Sequence, residues 1–179
     1  MNTPLTPGAG TVPTTLEDFM AQALVMEQDA VARYTEFADM METHNNPEVA
    51  EWFRKMAVIE GKHAAQIMAE MGWTEAPKHI AVLPVIDGFE SPESTPVEDV
   101  HYLMQPWHVL QLALANEERA ERFFAHLASV ATVESVRKAA LELQQEEREH
   151  VELVKAWMQK VPQPDHNWDH DPDPPRYDE

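Results

Sequence analysis

Apolar residues recur at steps of three and four along four stretches of the chain, the spacing that places side chains on one face of an α-helix. The 14 prolines leave three long windows between them, at residues 14–46, 48–76 and 107–161. Proline is excluded from helix interiors because it lacks a backbone N–H and clashes with the preceding turn. The helices are therefore expected inside these windows.

Terminal signals locate the first two helices. A capping box that begins at Thr14 predicts the start of the first helix. Asn46 and Pro47 suit the N-cap and the first turn of the second helix. This helix should run to Met71, because Gly72 can adopt the left-handed conformation that ends many helices. The short connection between the two helices predicts an antiparallel hairpin.

The third window is too long for one helix of a globular protein. Its residues 129–133 are small or β-branched and have weaker helix propensity, so we predict two helices, at about 107–130 and 133–160. Residues 73–105 would form a long crossover between two hairpins. The predicted fold class is all-α: an antiparallel four-helix bundle made of two helical hairpins joined by this crossover.

The bundle is predicted to occupy residues 15–161 as a single domain. Residues 1–14 would be a flexible N-terminal segment, and residues 162–179 an acidic, proline-rich and loosely ordered tail. No run approaches the roughly 18 apolar residues of a membrane span. The N-terminus also lacks the charged and apolar regions of a secretory signal. We therefore expect a cytoplasmic protein that does not bind membranes.

The amino-acid composition limits which partners the chain can bind and which side chains can hold a metal. The chain has 13 basic and 32 acidic residues and a formal net charge of −19. This balance disfavours nucleic-acid binding and favours the attraction of cations. The chain contains no cysteine, so disulfides, thiolate catalysis and cysteine-held iron–sulfur centres are excluded. A bound metal would need carboxylate and imidazole ligands.

The four apolar stripes share an anomaly at the middle of each helix. Each apolar stripe contains a glutamate at a position that faces the core, and two stripes also contain a histidine three residues later. An ionised carboxylate in an apolar interior costs several kcal/mol unless it is compensated, and the stripes carry no lysine or arginine. Bound cations would compensate the charge. The candidate metal ligands are Glu27, Glu60, His63, Glu117, Glu147 and His150.

The spacing of these residues repeats along the chain. Glu27 precedes Glu60 by 33 residues, and Glu117 precedes Glu147 by 30. The chain therefore looks like a duplicated hairpin in which each half supplies a Glu and a Glu-x-x-His. Residues three apart lie on the same face of a helix, so the Glu and the His of each Glu-x-x-His can bind metal from one helix. Four carboxylates balance two divalent ions, and six side chains leave positions open for water, O₂ or peroxide.

With Tyr34, which follows Glu27 by seven residues, these six residues resemble the di-iron carboxylate site of ferritin-like proteins, most closely that of the rubrerythrin family. The resemblance covers about residues 16–161. It implies a ferritin-like bundle that holds two iron ions. Carboxylate-rich sites with imidazole also bind manganese, and zinc can take their place.

The resemblance also implies roles for single residues. Glu27 and Glu117 would be ligands from the first and third helices. Glu60 and Glu147 would bridge the two metals, and the two histidines would be terminal ligands. Tyr34 would form a hydrogen bond to a ligand carboxylate from across the bundle.

The sequence departs from the family pattern in two respects. Rubrerythrins usually carry a cysteine-rich rubredoxin domain that passes electrons to the di-iron site, whereas this sequence has no cysteine. A peroxidase would therefore need a separate electron-donor protein. The family also places a further glutamate three residues after its third-helix ligand, where this chain has Ala120. Glu121, or Glu118 in an alternative register, could supply that additional carboxylate.

The resemblance implies a redox enzyme in which bound Fe(II) reacts with hydrogen peroxide or O₂, as peroxide reduction or ferrous-iron oxidation. Other functions stay open: iron storage or metal buffering by a cage-forming subunit, oxidation of an organic substrate, or a structural zinc scaffold. A homodimer is expected for the enzyme and a larger homo-oligomer for storage. A third Glu-x-x-His, from Glu98 to His101, lies in the crossover without a partner stripe, and we do not expect it to bind metal.

Overall fold

The computed structural model describes residues 12–78 and 100–174. Within these residues there is no strand, and the chain forms four helices: α1 (Leu16–Thr43), α2 (Pro47–Met71), α3 (Pro106–Val130) and α4 (Glu134–Met158). Helix α1 packs along α2 and α3 packs along α4, while α2 also approaches α3 and α1 approaches α4. The predicted all-α bundle of two hairpins is confirmed.

The N-cap of α1 lies one residue after the predicted cap, Thr14. The Oγ1 atom of Thr15 accepts a hydrogen bond from the backbone N–H of Asp18 at 3.1 Å. Thr15, not Thr14, is therefore the N-cap, since its hydroxyl satisfies a first-turn donor. The predicted break in the third window is confirmed, because α3 ends at Val130 and α4 begins at Glu134.

Asn46 ties the first hairpin to the start of the second. Its Oδ1 caps α2 by accepting from the backbone N–H of Val49 at 3.4 Å. Its Nδ2 donates to the backbone oxygens of Met104 at 2.8 Å and Tyr102 at 3.3 Å. The α1–α2 turn and the end of the crossover therefore meet at one end of the bundle, the upper end. At the lower end Gly72 adopts φ 65° and terminates α2, as predicted.

Among the described residues, two apolar clusters fill the core, one on each side of its mid-height. In the lower cluster Phe19 and Phe124 meet edge to face with ring centroids 6.2 Å apart. In the upper cluster the rings of Phe37 and Phe53 lie 5.3 Å apart. Leu16 is 36% exposed because it is the first residue of α1. The mid-helix glutamates fall between the two clusters on every helix.

The acidic tail contacts the bundle over its described part. The Trp168 ring lies against the ring of His108, with centroids 3.9 Å apart, and packs on the upper cluster. The Tyr102 hydroxyl donates a hydrogen bond to Asp171 at 2.7 Å. The indole of Trp168 therefore has an apolar partner surface beside the start of α3, while the loose order of the tail as a whole stays a prediction.

Parts of the predicted organisation lie outside the described residues. These are residues 1–11 of the N-terminal segment, residues 79–99 of the crossover, which include Glu98, and residues 175–179. Among the described helices, none combines the length and the apolar character needed to cross a bilayer.

Candidate metal centre

The four mid-helix glutamates are almost completely inaccessible to solvent. Their exposed fractions are 1% for Glu27, 4% for Glu60, 3% for Glu117 and 2% for Glu147. The histidines lie nearer the surface, with side chains 13% exposed at His63 and 16% at His150. The structure thus turns all four carboxylates into the core and places the two imidazoles at its outer edge.

The first hairpin brings Glu27, Glu60 and His63 together. The Nδ1 atom of His63 lies 3.5 Å from Glu27 Oε2 and 3.6 Å from Glu60 Oε2. Glu60 and His63 share one face of α2, and α1 supplies Glu27 from across the hairpin. One potential ligand atom from each of the three side chains lies within 4.8 Å of the others, a spacing compatible with a shared cation.

The second hairpin repeats this arrangement. The Nδ1 atom of His150 lies 3.4 Å from both Glu117 Oε2 and Glu147 Oε2. The two halves meet at the histidines, whose rings stack with centroids 4.2 Å apart and planes 10° from parallel. Glu147 and both histidines form a second group with potential ligand atoms within 4.8 Å of one another. The six predicted side chains therefore belong to one cluster, which contains two groups of candidate metal ligands.

The burial of charge has a clear electrostatic effect on Glu117. Its carboxyl group lies within hydrogen-bonding reach of the carboxyl groups of Glu147 and Glu60. Burial first, and then the charges of these two neighbours, raise the pKa of Glu117 well above its usual range. Two carboxyl groups can share a hydrogen bond only when one of them holds a proton. Without a compensating cation, the cluster keeps a proton at a pH where an exposed glutamate has lost it.

His150 also takes up a proton readily. Burial alone would lower the pKa of His150, but the hydrogen bond and charge of Glu147, together with Glu60 and Glu146, outweigh burial and raise it. The cluster therefore compensates its negative charge with protons. Cations would replace these protons, so the donor set fits divalent metal ions such as iron or manganese.

The centre comes nearest to solvent on the face between α2 and α4. There Gln66 Nε2 donates a hydrogen bond to Glu146 Oε1 at 2.9 Å and bridges the two helices. Beside it lies a recess of about 280 Å³ whose lining includes Glu70, Glu142 and Glu146. Glu70, Glu142 and Glu146 make this recess negatively charged, and Glu146 precedes the partly exposed His150 by four residues on α4.

Tyr34 is buried next to the third-helix ligand position. Its hydroxyl accepts a hydrogen bond from Asn116 Nδ2 at 2.8 Å, and Asn116 directly precedes Glu117. Tyr34 thus reaches α3 from across the bundle. Its hydrogen bond to a ligand carboxylate stays a prediction.

The additional carboxylate expected from Glu121 or Glu118 is not brought to the centre. Glu121 Oε1 accepts hydrogen bonds from Arg148, from Nε at 3.0 Å and from Nη2 at 2.9 Å, on the outside of α3 and α4. Both glutamates line an open surface cavity. The ion pair with Arg148 holds the Glu121 carboxylate outside the buried cluster.

Two polar residues near the centre were missed by the sequence analysis. Asn116 is 3% exposed, and half-buried Arg119 donates a hydrogen bond to its Oδ1. Asn116 lies three residues after the buried Ala113 and four before the buried Ala120. That helical spacing is a signal that could have placed Asn116 in the core.

Comparisons with known proteins identify a matching family model and two similar solved structures. The family model described as Rubrerythrin matches residues 18–105 and 108–171. The crystal structure of an uncharacterized conserved protein from Magnetospirillum magnetotacticum is 35% identical, with a TM-score of 0.61 over 84% of this chain and 98% of that chain. A hypothetical protein from Pyrococcus furiosus is 20% identical, with a TM-score of 0.43 over 81% of this chain and 89% of that one. The search of curated proteins gave no significant match.

Proposed function

The chain belongs to the rubrerythrin family, and from this premise we propose that it is a redox enzyme that binds two iron ions and reacts Fe(II) with hydrogen peroxide or O₂. The reaction would be peroxide reduction or ferrous-iron oxidation. The observation that carries the proposal is the burial of four glutamates, each no more than 4% exposed, beside two histidines and between two apolar clusters. Charge of that density in a dry interior is stable only with cations or protons bound to it.

Six side chains would hold the metals, and they fit the task by charge and by donor type. Four carboxylates neutralise two divalent ions, and imidazole with carboxylate suits iron and manganese, with zinc as a competitor. Bound iron supplies one electron per ion to an oxidant. The residues proposed as ligands are Glu27, Glu60, His63, Glu117, Glu147 and His150.

The protein's own groups would move protons as the metals bind. The proton kept by Glu117 and the proton taken up by His150 must leave when cations arrive, because both side chains bind metal in their deprotonated forms. The two apolar clusters exclude bulk water from the carboxylates on both sides. Small reactants are expected to approach from the α2–α4 face, where His63 and His150 are partly exposed.

A separate protein would supply electrons if the enzyme reduces peroxide catalytically, since these 179 residues contain no cysteine to hold an iron–sulfur or rubredoxin-type centre.

We further propose a homodimer. Iron storage by a cage-forming subunit would instead give a shell of many copies, so mass in solution separates the two functions. Sedimentation of a dimer supports the enzyme, and sedimentation of a large shell contradicts it.

The direct test is anaerobic titration of the metal-free protein with Fe(II), followed by hydrogen peroxide or O₂ in separate experiments. Binding should saturate at two iron ions per chain, and oxidant should then produce a fast ferric absorption band. The variant Glu60→Ala/Glu147→Ala should lose both while keeping its helical circular dichroism. Normal iron stoichiometry in this variant would count against the proposed ligands.

The matched control removes two glutamates from the same helices without touching the core. Glu51 and Glu152 are exposed, with side chains 70% and 71% accessible. The variant Glu51→Ala/Glu152→Ala removes the same total charge and should bind and oxidise iron as the unmodified protein does. A comparable loss in the control would mean that overall charge, not the buried cluster, governs iron binding.

A further inference from the structure

Three polar side chains form a hydrogen-bonded series from the half-buried Arg119 to the buried Tyr34. Arg119 donates to Asn116 Oδ1, and Asn116 Nδ2 donates to the Tyr34 hydroxyl oxygen at 2.8 Å. Asn116 is 3% exposed and Tyr34 is 2% exposed. The series therefore carries a defined hydrogen-bond direction from a cationic group near the surface to a phenol in the core.

The direction of this series is set by Arg119. A guanidinium group can only donate hydrogen bonds, whereas the two ends of an asparagine amide can exchange places by rotation. Because Arg119 requires an acceptor, the oxygen of Asn116 faces it and the amide nitrogen faces Tyr34. The phenol oxygen of Tyr34 must then accept, and its one hydrogen has to point to a different partner.

The surroundings of Tyr34 indicate where that hydrogen points. Its ring packs in the apolar upper cluster, with the ring of Phe53 at 6.2 Å. Helical side chains lean toward the N-terminus of their own helix, so Tyr34 leans along α1 toward the level of Glu27. Asn116, which its hydroxyl reaches, is the neighbour of Glu117. The hydroxyl therefore ends at the level of the carboxylate cluster.

We propose that Arg119 and Asn116 are positioning residues that hold Tyr34 as a hydrogen-bond acceptor from α3 and so direct its hydroxyl proton toward the metal centre. The charge of Arg119 polarises the Asn116 amide and strengthens its bond to the phenol oxygen. The use of this proton in the iron reaction rests on the proposed function. The orientation of the hydroxyl does not, because it is a property of the folded chain.

The test measures the hydrogen bonding of Tyr34 directly in the metal-free, full-length protein. Replacing Tyr102 and Tyr177 by phenylalanine leaves Tyr34 as the sole tyrosine of the three in the chain. The intensity ratio of the tyrosine Fermi doublet in ultraviolet resonance Raman spectra distinguishes a phenol that accepts hydrogen bonds from one that only donates. In the protein with only Tyr34, the doublet intensity ratio should be that of a phenol that accepts a hydrogen bond.

Two variants change the direction of the series without removing bulk. Asn116→Asp keeps an acceptor for Arg119 but replaces the amide donor with a second carboxylate oxygen, so Tyr34 must donate and the doublet ratio should fall. Arg119→Gln releases the constraint on the amide, because glutamine can also accept, and the ratio should fall part of the way. The matched control is Arg122→Gln, an exposed arginine on the same helix, which should leave the ratio unchanged.

An unchanged doublet ratio in Arg119→Gln or in Asn116→Asp would overturn the proposal. Arg119→Gln lies at a half-buried position and decides the outcome alone if Asn116→Asp does not fold by circular dichroism. Iron stoichiometry is measured separately on the parent protein. Failure to bind two iron ions would remove the proposed function while the Raman response still decides the orientation of Tyr34.

Discussion

Replacement of Glu117 by glutamine tests the burial of charge through protein stability. In the metal-free protein, burial and then the charges of Glu60 and Glu147 raise the pKa of Glu117. The folded state therefore keeps a proton that the unfolded chain releases above the ordinary glutamate pKa of about 4.3. Stability should be highest below that pH and should fall as pH rises toward the raised pKa.

The size of the effect follows from proton linkage. One additional proton in the folded state lowers the free energy of unfolding by about 1.4 kcal/mol for each pH unit of increase. The unmodified protein should therefore lose stability through Glu117 at up to this slope, from the unfolded-state pKa up to the raised pKa of the folded state. The variant Glu117→Gln has the shape of the protonated acid but cannot ionise. Its free energy of unfolding should equal that of the unmodified protein at acidic pH and should be larger near neutral pH.

The assay is urea unfolding of chelator-treated protein at several pH values. Glu118→Gln is the matched control, since Glu118 is the next residue on α3 but lines a surface cavity and not the centre. The control should follow the pH profile of the unmodified protein. Parallel profiles for Glu117→Gln and the unmodified protein would refute the reasoning, as would a variant that is less stable at every pH.

Other perturbations probe access, metal linkage and the tail. The variant Glu142→Gln/Glu146→Gln removes two negative charges at the recess, and Fe(II) uptake at low salt should slow by about tenfold because these groups attract cations. The iron stoichiometry should stay unchanged, because these groups do not hold the metal. Equal uptake rates in stopped-flow measurements would contradict this role. Metal at about 100 times its dissociation constant should raise the free energy of unfolding by roughly 3 kcal/mol, and unchanged urea midpoints would mean that the folded state does not bind it selectively. Trp168→Ala should destabilise the protein by about 1–2 kcal/mol, the value of a half-buried aromatic side chain; an unchanged midpoint would show that the tail contact contributes nothing.

The helices and the inward glutamates could be predicted because they follow from local rules. Proline positions limit where the helices can lie. Asn46 caps the start of α2 with its side chain, and Gly72 ends α2 in the left-handed conformation. The helical repeat then fixes which face each residue occupies, so a stripe that includes Glu27 or Glu147 places that carboxylate inside. These properties depend on neighbours within a few positions along the chain.

Features that depend on contacts distant in sequence could not be predicted in this way. Glu121 turns outward because Arg148, 27 residues later, lies beside it on the neighbouring helix. Trp168 packs on the bundle although its segment is rich in proline and aspartate. The direction of the Asn116 amide depends on Arg119, and hydrophobic periodicity carries no information about hydrogen-bond direction.

The most direct test of a paired-cation centre is anomalous X-ray scattering from crystals loaded with Fe(II) without oxygen, recorded at the iron, manganese and zinc edges. We predict two metal peaks per chain at mid-height of the bundle, each bonded to carboxylate oxygens and to one of the two stacked imidazoles. A chain that refines with no metal among these side chains, or with metal only on its acidic exterior, would contradict the account.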